Sequence, residues 1–192
     1  EMGDFNKKPG ETNLTGDTTV RLRLSPWTPA EAVGRIDGSA IDVRAVSSGV
    51  GSETRDWWGK FAIGPGTLRS LDNGLELASG AALDARDARP LYTIFGVGLP
   101  KWVQAVARME GIQATASVRL GPSILDVRNL AVRGGKLSIA GEYDRRGERG
   151  DGAFLVASGK LAAGIEIRDG KSSVKLAGAK KWFANRGADG GK

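Results

Sequence analysis

Apolar and polar side chains change places at every second residue in stretch after stretch of this chain, and no other feature limits its fold as tightly. Val20, Leu22 and Leu24 fall on one side of a two-residue period, while Thr19, Arg21 and Arg23 fall on the other. The period returns in Ile41 and Val43, Phe61 and Ile63, Leu75 and Leu77, and Val118 and Leu120. It returns again in Leu125 and Val127, in Leu137, Ile139 and Tyr143, in Ile165 and Ile167, and in Val174 and Leu176. Successive side chains of an extended strand point to opposite faces, so each run reads as a strand with one face to bury. The chain holds 29 glycines, about twice the usual share, and glycine or proline separates most of the runs. We read these glycines as turns, which joins the strands into an antiparallel meander. One phase slip is visible: Leu125 and Val127 hold odd positions, Leu130 and Val132 even ones. It predicts a bulge or turn near Asn129.

Three segments depart from the period. Residues 1–16, with Lys7-Lys8-Pro9-Gly10, read as a flexible lead-in. Thr28-Pro29-Ala30-Glu31 has the residues of a helix start, predicting one or two helical turns. Between 87 and 109 the apolar residues Leu91, Ile94, Phe95, Trp102, Val103, Val106 and Met109 take helical spacing, broken at Gly96-Val97-Gly98. Two short helices are expected there, plugging an open end of the sheet. The expected fold is mostly β: an antiparallel meander forming a curled sheet or open barrel or groove, with short helices in the middle. Its single domain runs over 17–184, and a basic tail occupies 185–192. Ile63-Gly64-Pro65-Gly66 and Leu120-Gly121-Pro122-Ser123 look like one repeating strand unit met twice.

The residue inventory narrows the chemistry. There is no cysteine and no histidine, which removes disulfides, thiolate nucleophiles, the commonest neutral-pH base and the commonest zinc ligand. The longest mostly apolar run, Leu91 to Leu99, is far short of the ~20 residues that a spanning helix needs. Carboxylates occur in mixed-sign clusters, Asp84 and Asp87 around Arg86, and Glu53 and Asp56 around Arg55, a pattern of exposed ion pairs. Arg149-Gly150-Asp151 spells an adhesion tripeptide, but its glycine-rich charged surroundings read as a hairpin turn. No catalytic residue, no metal site and no cofactor is expected. Of the net charge of +6, residues 171–192 hold +5. Lys180, Lys181, Trp182 and Phe183 pair cations with rings. A turn closing the last strand, or one touching a lipid headgroup layer, suits them better than nucleic acid, for which no partner role is expected.

Several stretches resemble the C-terminal region of the AsmA-like family of bacterial envelope proteins. They are Trp57-Trp58-Gly59, Ala85-Arg86-Asp87-Ala88-Arg89-Pro90-Leu91, Leu130 to Gly141, Gly152 to Val156, Gly164-Ile165-Glu166 and Gly178 to Phe183. The resemblance implies a periplasmic body anchored to the bacterial inner membrane by a segment outside this sequence. It also implies a part in outer-membrane biogenesis or phospholipid transport, and no catalytic residues. An alternating sheet must hide its apolar face. Curled without closing, it makes a groove for phospholipid or another acyl-chain lipid; backed by a second layer, it makes a dry core. The residues expected to line either one are Val20, Leu22, Leu24, Ile41, Val43, Phe61, Ile63, Val118, Leu120, Leu137, Ile139, Ile165 and Ile167. The basic C-terminal segment is the expected contact with a membrane surface. A structural, protein-binding β domain that docks other envelope proteins is the alternative function.

Overall fold

The computed structural model describes residues 14–21, 23, 33–36, 39–48, 57–87, 109–147 and 149–189. Among them are eleven strands and one helix. The strands are β1 (Leu14–Arg21), β2 (Val33–Ile36), β3 (Ser39–Ser48), β4 (Trp57–Leu71), β5 (Gly74–Asp87) and β6 (Glu110–Gly121). There follow β7 (Ile124–Gly134), β8 (Leu137–Arg146), β9 (Arg149–Ser158), β10 (Leu161–Arg168), β11 (Lys171–Lys175) and the helix α1 (Ala179–Asp189). All strands join one antiparallel sheet in the order β1-β3-β4-β5-β6-β7-β8-β9-β10-β11, with β2 also on β4. β1 and β11 stand at opposite ends of that order, so the sheet is open and not a barrel.

Local chemistry accounts for this order. From β6 onward, two-residue connections lead each strand straight back beside the last, which only antiparallel neighbours allow. Asp169 and Gly170 show why: their φ values of 50° and 76° are those of a type I′ turn, whose twist matches the strands it joins. β2 and β3 hold one register on β4, from Val33 opposite Arg69 to Arg44 opposite Trp58, like two pieces of one long strand. The phase slip is a bulge. Register on both neighbours of β7 shifts around Asn129, whose φ is 52°. The extra residue returns Leu125 and Val127 to the same face as Leu130 and Val132.

The two Gly-Pro segments do different work, and the expected repeat does not hold. Gly64-Pro65 makes a bulge inside β4, where register on β5 shifts between Ile63 and Gly66, and the Ser79 hydroxyl donates to the Gly64 carbonyl at 2.9 Å. Gly121-Pro122 ends β6 and enters a hairpin turn. Proline lacks the N–H a ladder needs, so either outcome suits it.

Only some of the described glycines lie in turns, contrary to the expectation. Gly135, Gly159 and Gly170 do lie in turns at positive φ. Gly59, Gly141, Gly150, Gly152 and Gly164 lie inside strands, each beneath an aromatic ring that an added Cβ would strike. Trp57 covers Gly59, Phe154 covers Gly141, Tyr143 covers Gly150 and Gly152, and Trp182 covers Gly164. A strand glycine weakens its sheet, and a ring laid over it restores the lost contact.

Segment boundaries also move. β1 begins at Leu14, where Leu14 and Thr15 pair with Ser48 and Ser47, so the expected lead-in ends earlier than 16. In place of a closing turn and a tail from 185 stands one helix, Ala179–Asp189, spanning that boundary. Arg149-Gly150-Asp151 opens β9 and is not the turn itself. The helical turn expected at 28–31 and the helices expected within 88–108 lie outside the described residues. Their flanks are extended or irregular: Asp87 ends β5 and Met109 precedes β6.

The two faces of the sheet pack differently. On one, Trp57, Ala85, Met109, Ile112 and Ile139 form a buried cluster, flanked by Leu83, Val132, Leu137, Phe154 and Val156. The Trp57 indole N–H donates to the Asp87 carbonyl at 2.9 Å, which satisfies its one polar atom in the core. The other face carries α1, packed on β9 and β10.

Candidate functional site

The apolar face supplies the first candidate site. Cross-strand partners share a face, so the registers can be followed from strand to strand. Val20 pairs with Ile41, Ile41 with Phe61, Phe61 with Leu83 and Leu83 with Ala114. Ala114 pairs with Val132, Val132 with Ile139, Ile139 with Val156 and Val156 with Ala163. This unbroken row of apolar residues crosses nine strands. At the ordinary strand spacing it runs about 38 Å. Next to it on the same face stand Leu130, Gly141, Phe154 and Ile165, and beyond these a second row, Val118, Val127, Tyr143, Gly152 and Ile167. A third row joins Leu68, Leu77, Leu120 and Leu125.

Most of the expected lining residues belong to this face. Phe61 and Ile139 lie in the long row, Val118 and Ile167 in the second, and Leu120 in the third. Ile63 pairs with Ala81, Ile165 with Phe154 and Leu137 with Ser158. Ile41 and Val43 enter through backbone pairing with Phe61 and Gly59. Leu22 and Leu24 lie outside the described residues. Burial varies along the set: Ile139 and Ile165 are buried, Phe61, Ile63, Val118 and Ile167 half-buried, and Val20 and Leu120 exposed. Leu83, Ala114, Val132, Val156 and Ala163 complete the long row and are not among the residues expected to line it. Leu83 and Val156 stand within Ala81 to Ala85 and Leu155 to Ser158, where neighbouring alanines and apolar residues blur the alternation.

The second candidate site lies on the opposite face, where α1 meets β10. Four residues of helix rise about 6.0 Å and two of strand about 6.6 Å. The helix therefore keeps step with β10: Trp182 covers Gly164, and Arg186, one turn on, reaches Glu166. Ala179 is buried at its start. The Glu166 carboxylate is buried and collects three cations. Arg168 donates two hydrogen bonds, at 3.0 and 2.8 Å, Arg186 another, and the Lys175 ammonium stands 3.4 Å away. Burial pushes the Glu166 carboxyl up, but the hydrogen bonds from Arg168 and Arg186, with the charges of Arg168 and Lys175, outweigh it and hold it below its ordinary value. Lys175 and Arg186 also lie over the Trp182 ring, 5.0 and 5.7 Å from its centre.

Trp182 is thus seated on the sheet, and Phe183 is half-buried beside it, with ring centres 6.3 Å apart. Lys180 and Lys181 face solvent. Among the carboxylates raised by sequence, Asp84 is exposed and pairs with Lys60 and Gln113. Asp87 is buried, with the Arg86 guanidinium 3.9 Å away; Glu53 and Asp56 lie outside the described residues. No helix among the described residues is long and apolar enough to cross a membrane. No protein-family model, curated protein or solved structure matches this chain.

Proposed function

We propose that this chain is a non-enzymatic periplasmic module of an AsmA-like protein anchored in the inner membrane. It serves phospholipid transport or outer-membrane biogenesis by holding acyl chains against the apolar face of its open sheet. The observation that carries this reading is the unbroken apolar row across nine strands. A bilayer core is about 30 Å thick, so a row of about 38 Å is long enough for any acyl chain of a single leaflet. Each methylene transferred onto such a surface gains about 0.8 kcal/mol.

Native mass spectrometry of the purified protein tests this reading: phospholipid is expected bound to it. Replacing half-buried row residues in the pair Phe61→Gln and Leu83→Gln is expected to abolish uptake of a labelled phospholipid while strand content is kept. Lipid-free protein that takes up no label sinks the proposal. The alternative, a scaffold that docks envelope proteins, draws on β11, a sheet edge that carries exposed Val174 and is followed by exposed Leu176. It expects a specific envelope protein to be captured equally by the wild type and by the glutamine pair.

A further inference from the structure

Glu166 cannot balance the charge around it. One carboxylate faces Arg168, Lys175 and Arg186, whose side chains remain 73%, 41% and 34% exposed. The register of β10 on β11 sets Gly164 opposite Lys175, Glu166 opposite Ser173 and Arg168 opposite Lys171. Lys171 therefore shares this face with Arg168, Glu166 and Lys175, and α1 lies on the same face. From 166 to 186 the chain has six basic residues against Glu166 and Asp169. Asp169 is engaged by Arg149 at 3.7 Å. Among the described residues, no carboxylate lies within ion-pair reach of Lys171, Lys180 or Lys181.

We propose that this corner of the polar face, β10, β11 and α1 together, is a docking surface for an anionic bilayer, binding the phosphates of lipid headgroups. The helix stays latched to the sheet while it does so. Trp182 is committed to Gly164 and Arg186 to Glu166, so α1 offers cations and not an apolar face for insertion. The surface is formed from two strands and the helix seated on them, so its cations come from three elements. Each basic residue close to an anionic leaflet adds about a fivefold gain in binding. This inference deepens the lipid-handling reading and rests on it for the source of the phosphate.

Sedimentation with vesicles tests it, using the whole chain at about 0.1 M salt, where exposed charges still act over ~10 Å. Vesicles of phosphatidylcholine with about 30 mol% phosphatidylglycerol are expected to bind at least about tenfold more protein than phosphatidylcholine alone. The variant K171E/K180E/K181E is expected to lose that gain, with an unchanged thermal melt because the three side chains are exposed. Equal binding to neutral vesicles, or full binding by the variant, overturns the proposal. So does tighter binding to single-stranded DNA than to anionic vesicles, or capture of inorganic phosphate without vesicle binding. Uptake of labelled lipid from detergent is measured in parallel. Docking without uptake supports this surface and counts against the apolar row alone, so the two readings fail separately.

Discussion

Trp57 and Trp182 each lie over a strand glycine, on opposite faces of the same sheet. Trp57 is only 3% exposed, inside the apolar cluster, and its one polar atom is spent on the Asp87 carbonyl. Trp182 is half-buried and has two cations over its ring. A bare glycine is the seat in both cases. On the apolar face the ring becomes core and holds strands together. On the polar face it becomes a fastener, holding a helix against the sheet with help from an ion cluster. The contrast shows how one packing device yields stability in one place and a fixed charged surface in the other.

The comparison breaks if Trp57 is not the more expensive of the two. Trp57→Ala leaves a cavity in the core and removes the hydrogen bond to the Asp87 carbonyl, and is expected to cost about 3–5 kcal/mol in urea unfolding. Blocking the other seat should be milder and local. Gly164→Val puts a side chain where Trp182 lies, so about 1–3 kcal/mol is expected, with loss of the helical circular-dichroism signal and retention of the sheet. Global unfolding by that variant would show that α1 is part of the core after all.

The smallest effect sharpens the comparison through pH. The folded Glu166 carboxyl is depressed, so its stabilisation is fully present above the ordinary carboxylate range and is lost as pH falls through its lowered folded value. At pH 4.5, the ordinary value for glutamate, the helix should still be docked; further acidification should release it before the apolar cluster unfolds. Glu166→Gln is expected to cost about 1 kcal/mol, since the cations it leaves are partly solvated, and to remove the acid release. An unchanged acid transition in Glu166→Gln would assign the helix docking to Trp182 alone.

Legibility followed the range of the interaction. The strands β4 to β8, β10 and β11 are legible because alternation is local, and the odd-to-even slip between Val127 and Leu130 places the bulge at Asn129 within a residue. The helix α1 is not legible as a helix in the sequence. Its contacts with the sheet, Ala179, Trp182 and Arg186, make a narrow stripe containing a charge, and Lys180 and Lys181 interrupt any apolar pattern. The strand glycines are hidden for a similar reason. Gly59 and Gly164 look like any other glycine until their coverings, Trp57 and Trp182, are located.

What the amino-acid order settled alone was the strand character of most elements, the antiparallel meander implied by short connections, and a chemistry without thiols or imidazoles. Period-two alternation and turn residues act within a few positions, so they are written in the order itself. What only the folded chain decided was which side chains meet: the partners that carry Phe61 to Leu83 to Ala114, and the three cations gathered on Glu166. Those are properties of pairs far apart in sequence. Strand register and the seating of α1 on β10 set them, and neither strand of a pair specifies its partner by itself.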